Sequence, residues 1–223
     1  MNKNKTRFIA IAATVMGHAT PVQAEIRVGV TTAVNPSAVG IPPKQEERVL
    51  YVGINMMADE RVVTGPAGRA HLLFVDGSNL SIGPNSDVVI DKFAYDPQTR
   101  TGELAFSVTR GVFRFVGGKI SKTSEVQFRT PAAVVGLRGG ACNGEVPGPG
   151  RPGDAEKFHH QHGTMRVQSG GETRIAYKES VIEVPRLAPA GAPPPPPSSP
   201  RPPTQAETKT SLDHFKAGPV GSL

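Results

Sequence analysis

The chain has 223 residues, a formal net charge of +6, 37% hydrophobic residues, no tryptophan and one cysteine. That length holds one ordinary domain with a modest core. The mild basic balance is no nucleic-acid footprint, and the lone Cys142 excludes an intrachain disulfide framework.

In chain order, Lys3, Lys5 and Arg7 precede a short apolar stretch, residues 8–17, too short to cross a bilayer, which takes about 20 residues. Pro21 and the small-x-small pattern Val22-Gln23-Ala24 follow. Residues 1–24 therefore read as a signal peptide cut after Ala24, which makes the mature chain periplasmic or secreted, with no integral membrane segment. The leader carries three of the basic residues and no acidic one, so the mature chain is only weakly basic.

Residues 25–184 read as one β domain. Residues 50–57 are apolar, contain Gly53 and read as a strand. Residues 69–75 and 80–82 flank Asp76-Gly77-Ser78, a hairpin signal, and Pro84-Asn85-Ser86 turns the chain again. Residues 87–93 are strand-like with an ambiguous register. Leu104, Phe106 and Val108 alternate onto one face, Gly111 interrupts, and Phe113 and Phe115 share a face thereafter. Val126 and Phe128 alternate inward, and Thr130-Pro131 ends that strand because proline has no amide to donate. Residues 144–162 carry a Gly/Pro cluster and read as a long loop between strands. Gly170-Gly171 signals a last hairpin, with strands at 173–177 and 181–184.

No core segment keeps a helical period over eleven residues or more. The expected class is all-β: a single domain of many short strands, solenoid-like or a sandwich. Residues 185–223 include the proline run 193–197 and read as a disordered proline-rich tail, with one short helical segment at 204–216.

The set Thr64, Gly68, Asp76-Gly77-Ser78, Pro84-Asn85-Ser86, Gly111, Thr130-Pro131, Gly136, Arg138 and Gly139 resembles the FecR domain in order and spacing, over residues 49–182. The turn residues in it have a structural reading: Gly77 supplies positive φ, while Asp76 and Ser78 bond nearby amides. The resemblance implies a non-catalytic β module of the cell envelope. In the sigma-regulating members, the domain passes a signal from an outer-membrane receptor to a cytoplasmic sigma factor. Here only seven residues precede the apolar stretch and a proline-rich segment follows the domain, so the expectation is a stand-alone exported module without the cytoplasmic anti-sigma region.

His159, His160 and His162, with Asp154 and Glu156 nearby, are the metal candidates, though their spacing matches no standard zinc arrangement. Cys142 reads as a buried small residue; no nucleophile signature surrounds it, and no P-loop or dinucleotide fingerprint occurs. No catalytic residue and no cofactor is assigned. The functional expectation is a protein-interaction or signalling module with an envelope protein as partner. The alternative is a structural protein associated with glycan or peptidoglycan, disfavoured by the three tyrosines Tyr51, Tyr95 and Tyr177 being the only stacking rings of their kind.

Overall fold

The computed structural model describes residues 27–35, 37–148, 155–186 and 195–215. The signal-peptide reading of residues 1–24 lies outside them. The strands are β1 (Arg27–Asn35), β2 (Ala38–Ile41), β3 (Arg48–Val49), β4 (Asn55–Met57), β5 (Arg61–Thr64), β6 (Arg69–Phe74) and β7 (Asn79–Ile82). β8 (Asp87–Asp96), β9 (Thr101–Val116), β10 (Val126–Arg129), β11 (Val134–Val146), β12 (Ala155–Ser169), β13 (Glu172–Ala176) and β14 (Ser180–Pro185) follow. Two short helices, α1 (Lys119–Thr123) and α2 (Gln205–Asp213), complete the list. The fold is mostly β, in one large mixed sheet.

All pairings are antiparallel except β9 with β10, which α1 joins by a crossover. The main path runs β13-β12-β11-β10-β9-β7-β6-β1-β4; β14 lies beside β12, and β8, β5, β2 and β3 continue from β9. The Asp76-Gly77-Ser78 turn joins β6 to β7 as a hairpin, with Gly77 at φ 85°.

Three strands are long: β9 with 16 residues, β11 with 13 and β12 with 15. Each changes its buried parity midway. In β9 the inward set passes from Leu104, Phe106 and Val108 to Phe113 and Phe115. In β11 it passes from Val135 and Leu137 to Cys142 and Val146, and in β12 from Phe158 and His160 to Met165 and Val167. A parity change needs an extra residue in the strand, a bulge. In β11 and β12 the bulge falls where Gly140 pairs with Gly163. A Cβ on Gly163 would lie 1.3 Å from the Gly139 carbonyl oxygen, so the two bends stack backbone on backbone. The two halves of each long strand pair with different neighbours: β12 holds β14 along its first half and β13 along its second. The sheet thus folds across itself around one core.

Six of the core phenylalanines, Phe74, Phe93, Phe106, Phe113, Phe115 and Phe128, form six stacked or edge-on pairs with ring centroids 4.8 to 5.9 Å apart, and Phe158 is buried in the same core. Val88 and Ile90 of β8 point into it, which resolves the register that the sequence left open.

Three expectations are corrected. Residues 144–162 are not one long loop: β11 continues to Val146 and β12 begins at Ala155. Gly144 is no strand breaker, because its missing side chain makes room for the Phe113 ring, which a Cβ would approach to 2.2 Å. The prolines 147, 149 and 152 fall between the strands. Residues 50–57 are not one strand; Leu50 is buried, Tyr51 and Val52 are exposed in a turn with Gly53 at φ 90°, and β4 starts at Asn55. The tail is not disordered over 195–215, which pack on the domain as described below. Residues 187–194 and 216–223 lie outside the described set.

Candidate functional site

The motif residues form buried polar knots that hold turns together. Asp76 accepts from Ser78 N at 2.9 Å, from Ser78 Oγ at 2.7 Å and from Ile120 N at 3.2 Å. Gly118 N donates to Ser78 Oγ at 2.9 Å, so this one turn fixes the start of α1. Thr64 Oγ1 donates to Gly83 O at 2.7 Å and accepts from Ser86 N at 2.9 Å. Ser86 Oγ in turn accepts from Val112 N at 3.0 Å, beside Gly111. Asn85 takes φ 54°, and Pro84 lies in the same turn, its carbonyl accepting from Ser86 Oγ at 3.2 Å. Gly68 packs on Ser37, where a Cβ would sit 2.5 Å from the Ser37 carbonyl oxygen.

Thr130 donates to the buried Glu156 through a short hydrogen bond, and Ala132 N donates to Glu156 at 3.1 Å. Pro131, between them, is exposed, and Arg186 stands 3.9 Å from Glu156. Burial pushes the Glu156 carboxyl up, against these hydrogen bonds and Arg186. Gly136 lies under Glu125, which pairs with Arg166 of β12. Arg138 is exposed and Gly139 makes the β11 bend.

Three further acidic groups are also occupied. Arg61 holds Asp87 by two bonds of 2.7 and 2.5 Å, and that hydrogen-bonded guanidinium keeps the Asp87 carboxyl below its ordinary range. Asp91 accepts from Ser107 at 2.7 Å. Sequence reasoning missed Glu60, fully buried and held by Arg48 at 2.8 and 2.9 Å and by Met57 N at 2.9 Å. No periodic signal marks such a residue, since its partners come from two other strands, β3 and β4.

The metal candidates do not converge. His159 and His160 are neighbours on β12 and so face opposite sides. His160 is buried and its Nδ1 donates to Lys178 O at 2.8 Å; His159 Nε2 stands 3.3 Å from Glu179; His162 is exposed. Among the described residues no group of three or more His, Cys, Asp or Glu side chains is placed to hold a metal ion. Cys142 is opposite His160 in register, 1% exposed, and burial pushes its thiol up to about 12, so it stays protonated and unreactive.

The accessible features lie elsewhere. A cleft of about 990 Å³ opens between Val63, Asn85, Arg110, Val146 and Lys157. β13 ends the sheet: among the described residues it pairs with β12 alone. Ile175 on β13 and Tyr177, one residue past its end, are 43% and 70% exposed. Alternating apolar residues beside a turn could have flagged this edge in the sequence, but not that the strand would be terminal.

The FecR protein family is matched over residues 60–152. Two solved structures are similar, each titled as a putative anti-sigma factor from Parabacteroides distasonis ATCC 8503. One has a TM-score of 0.47 at 13% identity and the other 0.45 at 11%. In both comparisons 56% of this chain is covered, and this chain spans 54% of the other, about half its length. No curated protein matches the chain.

Proposed function

With a FecR domain over residues 60–152, we propose that this chain is a non-catalytic protein-interaction module of the cell envelope. The leader-like pattern of residues 1–24 supports export. The observation that carries the reading is the terminal strand β13. Its outer backbone groups are unpaired among the described residues, and Ile175 and Tyr177 present apolar surface beside them. Such an edge accepts a partner strand: the backbone supplies affinity and alternate side chains supply selectivity. The buried Asp, Glu, Ser and Thr groups support the same reading, because they are spent on turns and strand junctions rather than aimed into a common cavity.

Glycan association is the second reading, and the exposed rings of Tyr51 and Tyr177, at 65% and 70%, are what favour it. Co-sedimentation separates the two. Purified chain is mixed with isolated wall polymer, and with an envelope protein fraction from which the wall has been removed. The interaction reading expects retention by the protein fraction, abolished by Ile175→Lys. Pelleting with wall polymer alone, abolished by Tyr51→Ala, would instead establish the glycan reading.

A further inference from the structure

β14 pairs with β12 along one side, and its other side is covered by the chain's own C-terminal segment. Val181 N donates to Arg201 O at 2.7 Å and Arg201 N returns a bond to Val181 O at 3.1 Å. Ser198 N donates to Glu183 O at 2.8 Å, and Glu183 N donates to Ser198 Oγ at 2.8 Å. Serine and arginine supply these bonds because the prolines around them have no N–H. Ser169, on the far half of β12, donates to Pro195 O at 2.8 Å, so the segment bridges both halves of the bent strand.

Arg201 then clasps Glu183 at 2.5 Å and Glu207 at 2.6 Å. Glu207 also closes a capping box at the start of α2. Thr204 N donates to it at 2.8 Å, and Glu207 N donates to Thr204 Oγ1 at 3.2 Å. Farther along, Arg69 Nε donates to His214 O at 2.9 Å.

Two features make this contact an exchangeable one. Within 195–207 only Pro197 is buried, so the hold is polar and lies at the solvent boundary. A proline-rich segment is extended before it docks, so it loses little conformational freedom on either binding or release.

We propose that the outer edge of β14 is a docking edge for an extended proline-bearing segment with serine and arginine three residues apart, filled in cis by residues 195–207 and open to the same segment of a second copy in trans. A second copy fits because it carries, by identity, the arginine that Glu183 receives and the Thr204–Glu207 box that orients it. The proposal concerns β14 and stands whether or not β13 recruits an envelope protein.

The test uses full-length chain and a fluorescent synthetic peptide of residues 195–215. In the wild type the tethered segment competes at an effective concentration near the millimolar range, so the peptide binds weakly. Arg201→Ala in the full-length chain loosens the cis segment, and anisotropy should then show peptide affinity raised about tenfold or more. Hydrogen exchange at the Val181 and Glu183 amides is read in parallel. Amides deprotected in the variant and protected again by the peptide are the expected result. Deprotected amides without peptide binding would refute the docking edge. Amides that stay protected in both Arg201→Ala and Arg201→Glu would refute exchangeability.

Discussion

At the residue scale, similar backbone angles carry different burdens. Gly77 and Gly111 both have positive φ, 85° and 102°. A Cβ on Gly77 meets nothing within 4 Å, whereas one on Gly111 would lie 2.1 Å from Ser86 Oγ and 2.3 Å from Ser86 Cα. Gly77→Ala should therefore cost about 1–2 kcal/mol, the price of the left-handed backbone alone. Gly111→Ala should cost more than about 3 kcal/mol, because the Thr64–Ser86 knot must move as well. Urea denaturation of both variants checks the order. Two carboxyls act on stability with opposite sign. Asp87 is held low by Arg61, so its contribution is present above the unfolded value and is lost as pH falls through the folded one. Glu156 is pushed up by burial, so stability is fullest below its unfolded value and declines as pH rises through the folded one. Asp87→Asn should flatten the acid limb of a stability–pH profile. Glu156→Gln should flatten the limb on the rising side while keeping an acceptor for Ala132 N.

At the element scale, the bends decide what the sequence could reveal. Asp76-Gly77-Ser78 was legible as a hairpin because turn chemistry is local. The inward faces of β9 and β10 were legible from their alternation. The continuity of β11 and β12 was not. A bulge reverses the alternation within one strand, so a glycine such as Gly163 reads as an end when it is a bend. The histidine cluster misled for a related reason: in a loop three histidines can converge, but in a strand consecutive ones point apart. Ser198 and Arg201 were hidden by the prolines around them, although the Thr204–Glu207 box is readable in the sequence. The terminal strand gives the prediction of this scale. Ile175→Lys lies on an exposed outer face and should change stability by no more than about 0.5 kcal/mol in urea, while abolishing retention of a protein partner.

At the scale of the whole molecule, the flank of β12 has two parts with different fates. Along one half, β14 is closed by the chain's own proline-bearing segment; along the other, β13 has no outer partner among the described residues, and Ile175 and the following Tyr177 are exposed. Proline at a sheet edge stops further pairing, so the protected half cannot extend the sheet while the bare half can. The proposed partner surface is thus β13, in a chain whose residues 60–152 match the FecR protein family. The direct measurement is photo-cross-linking in the native envelope, with a photoreactive amino acid in place of Tyr177. One dominant cross-linked protein is expected, lost when Ile175→Lys is added and retained when the reactive group is kept and Tyr51→Ala is added. Adducts confined to wall material, or protein adducts indifferent to Ile175→Lys, would contradict it.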